Sequence, residues 1–273
     1  MTEVMRGRAV DAQEAAGDGG ARPARRSRNE LREMLLEAGR DVLLAEGLGS
    51  GVEHLSFKRV FAHVEDTRGV RITNASVIGR IWDNQEDFQL DVVNSVTLSQ
   101  GDEGASATRD AMADVLDRID VSTPALRRAS LAELVRVACA RYLAAASTRD
   151  GTIQMALVTY VAASGSVASD SPLVERYRQT SDLLTGRYEE LYSIGLEACG
   201  WRLRPRYEMH EVVALISAVA EGILLHRIVD PDAFRPVVLV SGLDGTEVEW
   251  TQHAVTMNAL IDVYAEPIPD WRP

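Results

Sequence analysis

The segment GVRITNASVIGRIWDNQEDFQLDVV, residues 69–93, places Arg71, Thr73, Asn74, Ser76 and Arg80 close together in an otherwise acidic chain. Their chemistry suits recognition. Hydroxyl and amide side chains both donate and accept hydrogen bonds, so they can address base edges or phosphates. An arginine can grip a phosphate, or guanine O6 and N7, the latter worth about 1–3 kcal/mol of discrimination when bidentate. Lys58 and Arg59 add two cations shortly before, and Lys58 is the chain's only lysine. Further upstream, RPARRSRNELRE concentrates Arg22, Arg25, Arg26 and Arg28, an arm able to reach a minor groove or to remain solvated.

Signals for other chemistry are missing. The sequence has no glycine-rich phosphate loop, no G-x-S-x-G, no C-x-x-C and no H-E-x-x-H. His54, His63, His210, His226 and His253 show no metal-ligand spacing, and Cys139 and Cys199 read as small buried hydrophobes. No enzyme, no metal and no cofactor is expected. ASGSVASDS reads as an interhelical loop because no strand precedes it.

The elements that must hold these residues are helical. Residues 1–27 lack periodicity and are expected to be a disordered arm with a basic end. Asn29 or Ser27 then caps a helix that stops at Gly47, with Leu31, Leu35, Ala38, Val42 and Leu43 at three- and four-residue intervals. Ser56 caps a second helix, SFKRVFAHVED. Thr73 or Asn74 caps a third, NASVIGRIW, packing Val77, Ile78 and Ile81. Asp83 or Asn84 opens a fourth, with Glu86 and Asp87 in its first turn. Further helices are expected over 106–119, 123–147, 150–165, 172–199, 206–229 and 247–265, divided by Pro124, Gly151, Pro172, Gly200, Pro205, Pro231 and Pro236. Only PVVLVSG hints at a strand, too isolated to found a sheet. The expected fold class is all-α: a helix-turn-helix domain over 28–95 and a larger helical bundle over 96–273.

Three short helices with a Gly-Val turn before the third, then an aromatic and an N-x-E-D-hydrophobic helix start, form a helix-turn-helix pattern. LLAEGLGS, LSFKRVFAHV, GVRITNASVIGRIW and DNQEDFQLDVV together resemble the TetR family of bacterial transcription regulators over about Asn29 to Val93. Glu65–Arg68 are additional to that family's usual spacing, so either the turn is longer or the second helix runs on. Ile78 and Trp82 stand near the family's usual Tyr and Phe, and Gln85 replaces a usual lysine. Trp82 is expected in the core. The resemblance implies DNA reading by Lys58, Arg59, Arg71, Thr73, Asn74, Ser76 and Arg80, assisted by Arg25, Arg26 and Arg28. It also implies a homodimer on a palindromic operator, with a C-terminal domain that binds an effector.

The C-terminal part gives a class without a ligand. Tyr142, Met155, Tyr160, Tyr177, Trp201 and His226 are the residues expected to line a small-molecule pocket. The apolar faces of the last two long helices are wide: Val212, Val213, Leu215, Ile216, Val219, Ile223 and Leu224, then Ala254, Val255, Met257, Leu260, Ile261 and Val263. They could pack within the chain or form a four-helix dimer interface.

The totals bound these readings. With 273 residues, 46% hydrophobic and 26% charged, the chain can bury a sizeable core, and only 5% aromatic leaves aliphatic side chains to fill it. A net charge of -12 argues against a surface coated for nucleic acid but not against one local basic patch. Residues 53–90 carry five basic against six acidic side chains, so the arm would have to supply electrostatic affinity. No signal segment and no spanning apolar run is expected, since Glu221 breaks VVALISAVAEGILL; the location expected is cytoplasmic. Two readings follow: a TetR-like, effector-controlled DNA-binding regulator, or a helical ligand-binding or protein-interaction module whose helix-turn-helix no longer reads DNA.

Overall fold

A computed structural model describes residues 26–47, 51–52, 54–167 and 172–272. Residues 1–25 of the expected arm, including Arg22 and Arg25, lie outside the described residues. The molecule is predominantly helical.

The first helix, α1 (Arg28–Glu46), begins at Ser27, whose hydroxyl accepts from the Glu30 N–H while the Glu30 carboxylate accepts from the Ser27 N–H. This reciprocal capping box satisfies two backbone donors that the helix leaves free. Ser56 caps α2 (Phe57–Arg68), accepting from Arg59 N–H. The four extra residues prolong this helix, which ends where Gly69 takes the left-handed conformation, φ 64°.

The third helix differs from expectation. Only α3 (Asn74–Val77) is helical; Thr73 is its N-cap but makes no side-chain cap bond, and Ile78 turns extended. Gly79 follows at φ 71°, with its N–H donating to the Trp82 carbonyl. The expected nine-residue helix is therefore one turn followed by an irregular loop. Ile78, expected inside, is 41% exposed.

Asn84 caps α4 (Gln85–Leu116), with Glu86 and Asp87 in its first turn. Two expected helices, one starting near residue 84 and one over 106–119, are thus a single 32-residue helix that crosses residue 95 unbroken. Next come α5 (Pro124–Ala146), α6 (Arg149–Val167), α7 (Pro172–Ala198) and α8 (Met209–Val229). Trp201–Leu203 forms strand β1, Val237–Val240 β2 and Glu247–Trp250 β3, before α9 (Gln252–Tyr264) and β4 (Ala265–Pro267). PVVLVSG does found a sheet, because Val237–Val240 pairs antiparallel with Glu247–Trp250. The latter residues were expected to begin the last helix; their alternating E-V-E-W is a strand period. β1 pairs antiparallel with β4 and ties the end of α7 to the end of α9.

Packing joins the head to the body. Leu35, Leu43, Leu55, Val60, Val64, Val77, Phe88 and Val92 are fully buried together, and Leu157 of α6 enters the same core. Phe57 stacks on Phe88 at 5.0 Å between ring centres, and Trp82 meets Phe88 edge-on at 4.9 Å. A second core joins α4, α5, α7 and α9 through Met112, Val115, Leu131, Leu134, Leu191, Ala254 and Ile261.

α8 is, among the described residues, the one helix long and apolar enough to cross a membrane, with a mean hydropathy of 1.9 over its best window. Glu221 stands within that run. Val213, Ile216, Ala220, Ile223 and Leu224 nevertheless bury one side of α8 within the chain.

Candidate functional site

The polar residues of the head divide into two groups by their partners. Arg59 forms an ion pair with Glu46, Arg68 with Glu37 at 2.8 Å, and Arg32 with Asp91 at 2.8 Å. Arg28, Arg71 and Arg80 form no ion pair with another described residue. Arg26 likewise lacks a bridge, although its charge helps hold the Glu30 carboxyl below its usual range, after the larger effect of that carboxyl's hydrogen bonds with Ser27. These four exposed arginines line one open groove of about 660 Å³, together with Ser76 and the apolar walls Leu31, Val70 and Ile72. The start of α1 supplies Arg26 and Arg28, the stretch before α3 supplies Arg71, and the loop after α3 supplies Arg80.

The groove therefore unites Arg26, Arg28, Arg71, Ser76 and Arg80. Lys58, Thr73 and Asn74 stand exposed outside it, and Arg59 is occupied by Glu46. Ser76 is only partly available, since its hydroxyl donates to the Thr73 carbonyl at 2.6 Å. Arg80 lies in the loop rather than one turn along a recognition helix, so helix geometry does not direct it.

Asp91 fixes that loop from behind. Its Oδ2 accepts from Trp82 Nε1 and from Arg32 Nη2, each at 2.8 Å, and Arg176 of α7 approaches Oδ1 at 3.5 Å. One carboxylate thus joins the loop carrying Arg80, helix α1 and helix α7. Thr180 of α7 also donates to Asn94 of α4. The sequence held no signal for Asp91, whose partners Arg32 and Arg176 lie far away in the chain.

The six residues expected to surround a ligand do not converge. Tyr142 lines an internal cavity. Met155 is buried at a separate cleft with Leu224 and Thr152. Trp201 lies under the Arg128 guanidinium, 5.8 Å from the ring centre. His226 is exposed against Phe234, 5.9 Å away. Tyr160 and Tyr177 are half-buried on α6 and α7; burial, with Glu221 nearby, pushes the Tyr177 hydroxyl pKa up. The residues that accompany Tyr142 are Tyr188, Tyr192, Cys139, Ser217, Thr108 and His253. Tyr188 and Tyr192 are one helical turn apart, which was legible; His253 was not. Burial holds the His253 imidazole neutral, lowering its pKa to about 4, and raises the Tyr188, Tyr192 and Cys139 values.

No protein-family model and no curated protein matches this chain. The described residues contain no group of three His, Cys, Asp or Glu side chains placed to hold a metal ion.

Proposed function

We propose that this protein is a DNA-binding transcription regulator, a repressor in the manner of the TetR family that its head resembles, acting as a homodimer and controlled by a small molecule bound in the C-terminal bundle. One observation carries the reading: in a chain of net charge -12, four exposed arginines without an ion-pair partner among the described residues, Arg26, Arg28, Arg71 and Arg80, meet in one groove beside α3. Isolated basic grooves on acidic proteins suit a polyanion, since Coulomb attraction acts locally and neutralised phosphates release counterions. Arg26 and Arg28 would follow the backbone, while Arg71 and Arg80 would reach phosphates or guanine edges.

The one-turn α3 favours the second reading, a helix-turn-helix that supports ligand or protein binding without reading DNA. A major-groove reader ordinarily presents its first helical turns to the bases, and this one has a single turn. A gel shift on the DNA upstream of the protein's own gene, at two salt concentrations, separates the two readings. Binding should weaken steeply with salt. Arg71→Ala and Arg80→Ala should each lower affinity by roughly tenfold and flatten the log–log salt slope by about one, whereas Arg59→Ala, already ion-paired, should change little. A wild type that gives no salt-dependent shift would leave the second reading standing.

A further inference from the structure

Two adjoining pockets lie between α4, α5, α7, α8 and α9. The first, of about 60 Å³, is lined by aliphatic side chains such as Leu134, Val135, Val212 and Leu260. The second, of about 40 Å³, contains Tyr142, Tyr188, Ser217 and His253. Ala138, Tyr192, Ile216 and Met257 border both, so an apolar chamber adjoins a polar one.

The polar chamber holds unmet hydrogen-bonding capacity. His253 is 3% exposed, and neither ring nitrogen has a partner among the described protein groups; the buried Tyr188 hydroxyl has none either. Two of their neighbours are already engaged. Thr108 donates to the Gly104 carbonyl at 2.8 Å, and the Cys139 thiol points to Met257 Sδ at 3.4 Å. Buried polar groups are almost always paired, so two residues that line one cavity and together hold three unpaired polar atoms call for an occupant. Among the described residues, no charged side chain lines either chamber. A carboxylate or ammonium inside would be buried without a counter-charge.

We propose that the paired chambers bind a small, neutral, amphipathic alcohol or phenol, its apolar part in the aliphatic chamber and its hydroxyl between His253 and Tyr188. A hydroxyl both donates and accepts, which matches a neutral imidazole with one N–H and one lone pair beside a tyrosine O–H. The assignment deepens the reading of the bundle as the effector-binding part, but the binding itself is independent of DNA.

The test uses the full-length protein without DNA, by calorimetric titration and thermal melting. The probes are 4-ethylphenol, ethylbenzene and 4-ethylbenzoate. 4-Ethylphenol should bind and raise the melting temperature. Ethylbenzene, which lacks the hydroxyl, should bind about tenfold more weakly, and the carboxylate should not bind. His253→Phe keeps an aromatic ring but removes both nitrogens, and should erase the preference for the phenol. Tyr188→Phe, which loses a single oxygen, should reduce it severalfold and serves if the histidine variant does not fold. The proposal is overturned if 4-ethylphenol does not bind, if ethylbenzene binds equally well, or if the folded variants keep the wild-type preference. Failure in the gel shift with intact phenol preference would remove the DNA reading alone. Operator binding without any phenol preference would remove this assignment alone.

Discussion

Asp91 shows how much a single carboxylate can organise. It is 13% exposed, and it satisfies the indole N–H of a buried tryptophan while compensating two guanidinium groups from different helices. Asp91→Ala would strand the Trp82 N–H and leave Arg32 without its partner across the α1–α4 contact. Unmet buried donors cost about 1–3 kcal/mol, so the unfolding free energy should fall by that order. Asp91→Asn retains an acceptor for Trp82 but loses the charge, and should cost less than alanine. An alanine variant as stable as wild type in urea would show that the hub contributes nothing. The burial of Trp82 itself was legible, because a large aromatic between two amphipathic helices has few other places to go. Its partner was not legible, since Asp91 reads along the sequence as one more acid near the start of a long helix.

At the scale of elements, capping chemistry reported boundaries well and irregular backbone poorly. Ser27, Ser56, Asn84, Thr123 and Thr251 each accept from a first-turn N–H; Ser56 could be named beforehand, and Ser27 and Asn84 each as one of two candidates, because short polar side chains do this one job well. The end of α3 could not be named. Val77, Ile78 and Ile81 repeat at helical spacing, and a glycine inside a helix costs only about 1 kcal/mol, so local pattern favours a continuous helix over residues 74–82. Tertiary demands override it: Trp82 must enter the Phe57–Phe88 cluster and reach Asp91, and the chain manages this by opening at Ile78 and reversing at Gly79. A Cβ at Gly79 would meet nothing within 4 Å, so the only penalty for a side chain there is the left-handed backbone. Gly79→Ala should therefore destabilise by about 1 kcal/mol. It should also lower DNA affinity, if the groove reads DNA, by shifting Arg80. A variant equal to wild type in both thermal melting and gel shift would mean that this loop is not held in the left-handed form. The β2–β3 hairpin escaped notice for a related reason: a two-stranded sheet rests on pairing between segments, and VVLV looks isolated until EVEW is recognised as its partner.

For the whole molecule, the decisive question is what covers the outer side of α8. The wide apolar faces read from the sequence prove to be mostly internal: Val212, Val213, Ile216, Ile223, Leu224, Ala254 and Ile261 are all buried within one chain. What stays outside is different. Leu215, Leu225, Ile228 and Val229 remain exposed on α8, Val229 at 83%, and Val263 is exposed on α9. Leu215, Ala218, Gly222, Leu225 and Val229 follow three- and four-residue spacing, so they share one stripe, and small residues within it permit close approach of a second helix. A symmetric pairing of these stripes would bury them and place two heads on one DNA, at successive major grooves about 34–36 Å apart or a multiple of that. Periodicity alone could identify a helix too apolar for its surface, but not which side the chain itself would use, because that depends on α7 and α9 packing against it. Leu225→Glu inserts a charge into the stripe while leaving the internal core untouched. In sedimentation at micromolar concentration the wild type should be a dimer, and the variant should be a monomer with an unchanged far-UV spectrum. Operator affinity should fall by at least about a hundredfold, since a single head keeps only one half-site of contacts. A wild type that sediments as a monomer, or a variant that remains a dimer, would overturn the pairing and leave the exposed α8 stripe to another partner.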